Sequence, residues 1–129
     1  MANPVVTNVD VGQIGIGQCD VEHHVIAFGG ADVLAAGTIM ARIAASGKWG
    51  IYDTGGAGGL GVAKGVLAYE VTATGSGDVA ADIIVRGTVN QDRLLQDDAG
   101  AVTAAIIDEL RGYGILAKPV KQLGVLDNQ

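Results

Sequence analysis

Between Val33 and Arg93 the chain repeats one local pattern: a short run rich in β-branched and aliphatic residues, a glycine-containing turn, then another such run. The runs read VLAAGTIMARIAASGKWGIYD, the loop TGGAGGLGVAKG, and VLAYEVTATGSGDVAADIIVRGTVNQDRL. Short apolar runs separated by residues that tolerate positive φ favour strands joined by tight turns over helices. A strand-rich fold is therefore expected. Its core has to be built from small aliphatic parts, because the 49% apolar fraction includes only one Trp, one Phe and three Tyr. β-branched members of that set suit strands.

Read in order, DVEHHVIAF (Asp20–Phe28) predicts a strand ended by Gly29 and Gly30, and VLAAGTIMARIA predicts a second, broken at Gly37. Ser46-Gly47 marks a hairpin turn between MARIAA and KWGIYD, so that pair is expected to be antiparallel. VAKGVLAYEVTAT follows the glycine loop, and the turn Gly75–Asp78 leads into ADIIVRGTV. The expected sheet is an antiparallel meander of four or five strands or a small barrel-like sheet. Near the C-terminus the period changes: Val102, Ala105, Ile106 and Leu110 recur at offsets of three and four, predicting one amphipathic helix of about three turns. Asp97 or Asp98 is placed to cap it, and Gly112 or Gly114 to end it. ILAKPVKQ then reads as an extended edge segment, since Pro119 cannot donate to a ladder. The fold class is α+β, mainly β, with one C-terminal amphipathic helix.

Residues 1–19 differ from the rest of the chain. Val5, Val6, Val9, Val11, Ile14 and Ile16 are interleaved with Pro4, Gly12, Gly15 and Gly17, with period-2 alternation but no helix signal. Two readings fit: an extended N-terminal arm, or an ordinary first strand weakened by its glycines. The arm reading divides the chain into residues 1–19 and a single domain of residues 20–129.

Charge and cysteine content narrow the function. Eight Lys and Arg stand against 14 Asp and Glu, a net charge of −6, and the positive residues are scattered singly. A polyphosphate backbone would be repelled, so direct binding to nucleic acid is not expected. Cys19 is the only cysteine, which rules out an intrachain disulfide framework and suits a reducing cytoplasm. MANPVVTNVDVG has no basic region leading into an apolar one, and no apolar run reaches the roughly 18 residues a membrane helix needs. Neither export by a signal peptide nor a membrane partner is expected.

Several segments imitate catalytic or binding motifs. Gly56-Ala57-Gly58-Gly59-Leu60-Gly61 is formally GxGxxG, but a dinucleotide site requires that loop to open a helix, and VAKGVLAYEV reads as a strand. Cys19 and His23 share a strand face while His24 points the other way, and two ligands are fewer than a structural zinc needs. Ser46 and Ser76 sit in glycine turns outside any nucleophile elbow, and Asp97-Asp98 is better suited to capping a helix than to acid-base work. No catalytic, cofactor-binding or metal-binding residue is expected, and neither an enzyme nor a cofactor is predicted. Trp49 is an interface candidate because tryptophan is enriched at binding hot spots, the alternative being a place in the core.

Three of these segments, LAAGTIMARIAASGKWGIYD, AKGVLAYEVTATG and DIIVRGTVNQDRL, in this order and spacing, resemble the head decoration proteins of tailed bacteriophages, the lambda-type capsid-stabilising family. The likeness runs from about Ile26 to Gln122 and does not extend into the N-terminal segment. It implies a β-rich homotrimer on the outer surface of the expanded head near three-fold positions, made in the host cytoplasm, whose partners are the major capsid protein and itself. In that setting Val5, Val6, Val9, Val11, Ile14 and Ile16 become a candidate capsid-binding arm that adds a strand to a capsid edge. A tail or baseplate β-domain, and less readily a small nucleotide-binding module, are the competing readings.

Overall fold

The computed structural model describes residues 14–96 and 100–119. Two long strands, β1 (Gly15–Phe28) and β7 (Gly77–Asn90), pair antiparallel along nearly their whole length, from Gly15↔Val89 to Phe28↔Gly77. Between them in sequence lie β2 (Asp32–Leu34), β3 (Ile39–Arg42), β4 (Trp49–Ile51), β5 (Gly65–Leu67) and β6 (Val71–Ala73). The order β1-β4-β3-β5-β7 closes on itself through the β1–β7 pairing, which makes a five-stranded barrel-like sheet. β2 and β6 form a separate antiparallel ribbon.

The mainly β expectation holds, and so does the predicted hairpin: β3 and β4 are antiparallel with Met40 opposite Ile51 and Arg42 opposite Trp49. The break at Gly37 is also present, separating β2 from β3. Of the two sheet forms expected, the barrel-like one is found. Closure comes from pairs distant in sequence, the parallel contact Ile26↔Trp49 and the β1–β7 ladder, and local alternation carries no information about either.

Continuous apolar runs in β3, β5 and the middle of β7 follow from burial on both faces. Met40, Leu67 and Ile83 join Ile26 and Trp49 in one cluster, to which every barrel strand contributes, so it fills the barrel interior. Their neighbours Ile39, Ala41, Val66 and Ile84 point the opposite way into a second cluster with Ile106, Leu110 and Ile115. That outer layer lies under the C-terminal elements. A 3₁₀ turn (Gln91–Arg93) and the short pair β8 (Leu95–Gln96) and β9 (Gly100–Ala101) lead to helix α1 (Ala104–Gly112) and then β10 (Ile115–Lys118). β10 runs parallel to β7 and forms an edge of the sheet, as expected for the ILAK part of ILAKPVKQ; Val120–Gln122 lie outside the described residues.

The helix has nine residues, and its start differs from the expected one. Thr103 is the N-cap, its hydroxyl accepting the Ile106 N–H at 3.4 Å, whereas Asp97 and Asp98 lie outside the described residues. The short strand β9, which starts at Gly100, intervenes, so the helix begins later than the carboxylates suggested. Ile106 and Leu110, one turn apart, face the core, while Ala105 is exposed. Glu109 fastens the helix to the barrel by accepting the N–H of buried Ala63 at 2.6 Å. Replacing Glu109 with alanine strands that buried donor and is expected to cost about 1–3 kcal/mol. Urea unfolding checks this, with Glu109→Gln, which keeps an acceptor, losing less.

Candidate interaction surface

The glycine loop lies between β4 and β5, two strands, so no helix N-terminus faces it. Its polar groups are used internally: Asp53 N–H donates to the Leu60 carbonyl at 2.9 Å and Gly56 N–H to the Asp53 carbonyl at 2.7 Å. Ala44 N–H donates to the Gly58 carbonyl at 2.8 Å, tying the loop to the β3–β4 connection. Gly59 has φ 101°, and a Cβ there would overlap the Arg42 carbonyl. The GxGxxG spacing thus records tight packing of a loop on its neighbour.

The Cys and His residues are dispersed. His23 is 89% exposed and its Nδ1 meets the Asp82 carboxylate across the β1–β7 ladder. His24, on the other face, is 29% exposed, donates to Glu22 at 2.7 Å and tilts over the Trp49 ring at 5.1 Å between centroids. One histidine is exposed and one partly buried, as the strand alternation implies. Cys19 lies between the two register irregularities of β1, where its thiol donates to the Thr88 carbonyl at 3.3 Å. Burial pushes that thiol above its ordinary pKa, against the smaller opposing effect of the Thr88 hydrogen bond. Cys19 should therefore alkylate more slowly with iodoacetamide in the native protein than in urea-unfolded chain at the same pH. Equal rates would contradict it.

The residues singled out for contact fall in different places. Val5, Val6, Val9 and Val11 lie outside the described residues. Ile14 is 3% exposed in the outer core layer, and Ile16 belongs to β1 opposite Thr88. The last two are thus built into the body, and β1 begins before residue 20. Trp49 is 4% exposed within the barrel interior, so in the isolated subunit it serves the core.

What the surface offers instead is a set of apolar side chains that hydrophobicity alone does not mark. Val21, Val25, Val33, Tyr69 and Tyr113 are the exposed large apolar side chains among the described residues. Val21 and Val25 lie on one face of β1, and Val33 stands on the β2–β6 ribbon. Tyr69 falls in the bend between β5 and β6, where the alternation expected to continue past Ala68 ends. It lines a shallow recess of about 200 Å³ with His23, Glu70 and Asp82. A second cleft of about 290 Å³ opens where β1 and β4 diverge, between Phe28, Ile43, Ile51 and Leu60, with Asp32 at its edge. Both are open depressions suited to noncovalent contact.

A search among curated proteins gives no match. Against protein families, residues 16–115 match bacteriophage lambda head decoration protein D, a span from the start of β1 to the start of β10 that takes in the whole barrel and helix α1. The chain therefore belongs to the bacteriophage lambda head decoration protein family.

Proposed function

We propose that this protein decorates a phage capsid, sitting on the outer surface of the expanded head as a homotrimer near its three-fold positions. There it holds neighbouring major capsid subunits together against the pressure of packaged DNA. The observation that carries this reading is the family match across the entire barrel. An acidic exterior, a net charge of −6 and apolar side chains presented from strands and bends suit a protein fastened by contact. Its work is structural; it catalyses no reaction and takes no cofactor or nucleic acid. It is made in the host cytoplasm before joining the virion.

Within this reading, residues 1–19 act as the capsid-binding arm, its C-terminal end continuous with β1 of the 20–129 body. Val5, Val6, Val9 and Val11 supply the alternating contacts of an added strand, and Ile14 and Ile16 anchor its root. Trimeric presentation of three arms raises their effective concentration once one has docked, so modest contacts suffice collectively.

Mixing purified protein with expanded, undecorated capsids and imaging them by electron microscopy is expected to give new density on the outer surface at three-fold positions. No added density would remove the capsid reading, and labelled protein found on tails or baseplates would replace it with the tail reading. Deleting residues 1–11, which spares Ile14, is expected to abolish capsid binding while leaving circular dichroism and sedimentation of the body unchanged. Full binding by that truncation would sink the arm assignment.

A further inference from the structure

β1 and β4 run parallel and pair at Ile26↔Trp49; past that point they separate, and the cleft of about 290 Å³ opens between them. Its apolar walls are Phe28, Ile43, Ile51 and Leu60, each only half-buried in the isolated subunit. At its mouth Gly29 and Gly30 have open space where a side chain would stand, so another backbone can come close. Asp32 is the one charged residue of the lining. Its Oδ1 accepts the Val33 N–H at 2.8 Å, and no ion pair among the described residues uses it. The cleft therefore suits an extended apolar segment that carries one cation at the rim.

The chain itself contains such a segment. In residues 120–129, VKQLGVLDNQ, an extended backbone puts Lys121, Leu123 and Val125 on one face, with Gly124 between the two apolar side chains. Leu123 and Val125 match the walls, and Lys121 matches Asp32. Residues 1–13 also alternate, but they contain no lysine or arginine. Reach decides which copy supplies the segment. β10 ends with Lys118 opposite Asn90, whereas the cleft begins at Ile26, opposite Val79 near the other end of β7. Those positions are about 30 Å apart along the strand even when twist shortens it. Leu123 follows Lys118 by five residues, so its own chain carries it at most about 18 Å.

We propose that residues 121–125 of one copy lie extended in the β1–β4 cleft of a neighbouring copy. Leu123 and Val125 pack against Phe28, Ile43, Ile51 and Leu60, and Lys121 pairs with Asp32 at the rim. The contact is head-to-tail, so successive copies close a ring or extend a filament. Closure at three rests on the homotrimer reading; the exchange itself does not.

The test uses free full-length protein. In a Cys19→Ser background, Asp32→Cys combined with Lys121→Cys puts one thiol at the cleft rim and one on the inserted segment. Mild oxidation is expected to link different chains, giving covalent trimers on a non-reducing denaturing gel. Val33→Cys combined with Lys121→Cys is the control, since Val33 is 56% exposed but points to the opposite side of β2, and it should link far less. Sedimentation of Leu123→Asp should show self-association weakened at least about tenfold, with circular dichroism of the body unchanged. A disulfide closed within one chain, no disulfide, or equal linkage in the control would overturn the proposal, as would unchanged sedimentation of Leu123→Asp. Covalent rings or ladders of another size would keep the exchange and count against the three-fold reading alone.

Discussion

Trp49→Ala is expected to cost on the order of 3–5 kcal/mol of folding stability, the range for removing a large buried aromatic side chain. Its indole fills the barrel interior with Ile26, Met40, Leu67 and Ile83, so truncation leaves a cavity among buried side chains. Trp49→Phe should cost much less. The Trp49 Nε1–H has no hydrogen-bond partner among the described residues, so the replacement gives up packing volume without breaking a hydrogen bond. Urea titration followed by circular dichroism gives both values. Capsid binding of the folded Trp49→Phe protein then separates the two roles weighed for this residue: unchanged affinity fits a core position, and a large loss would restore the interface assignment.

The second large effect is expected at Gly37, between β2 and β3. Its N–H donates to the Leu67 carbonyl at 2.8 Å and its carbonyl accepts the Leu95 N–H at 2.9 Å, so β5 and β8 are both tied to this one residue. The backbone there has φ 96°, and a Cβ would overlap the Arg93 carbonyl oxygen. Gly37→Ala therefore combines an unfavourable conformation with a clash against backbone, which has no rotamer with which to move aside. A loss of at least about 3 kcal/mol is expected, because strain at a special φ/ψ is one of the few routes to a large single-residue effect. Thermal unfolding of the purified variant checks it; a midpoint equal to that of the unchanged protein would show that the chain relaxes around the new methyl group. Because Gly37 lies outside every motif that resembles a ligand site, the loss should appear as stability alone.

Gly37 and Gly59 illustrate how different physical demands share one sequence signature. In sequence both are glycines between β-like runs, one a break in a strand and one inside a GxGxxG spacing. Only the three-dimensional neighbours, the carbonyls of Arg93 and Arg42, show that each makes room for another part of the backbone. Trp49 is similar: sequence suits it equally to an interface and to a core, and in the isolated subunit it stands buried on β4 in one cluster with Met40 and Ile26.

Local patterns by themselves determined the strand-rich class, the β3–β4 hairpin, the break at Gly37, the single amphipathic helix with Ile106 and Leu110 inward, and the family resemblance. These depend on periodicity and turn chemistry, which act over a few residues. Tertiary structure alone decided how the strands close, because the β1–β7 ladder joins residues as distant in sequence as Gly15 and Val89, and the parallel Ile26↔Trp49 contact seals the ring. It placed Ile14 in the body and delayed the helix cap to Thr103. A strand's own sequence fixes which residues share a face; which edge finds a neighbour is set by the rest of the chain.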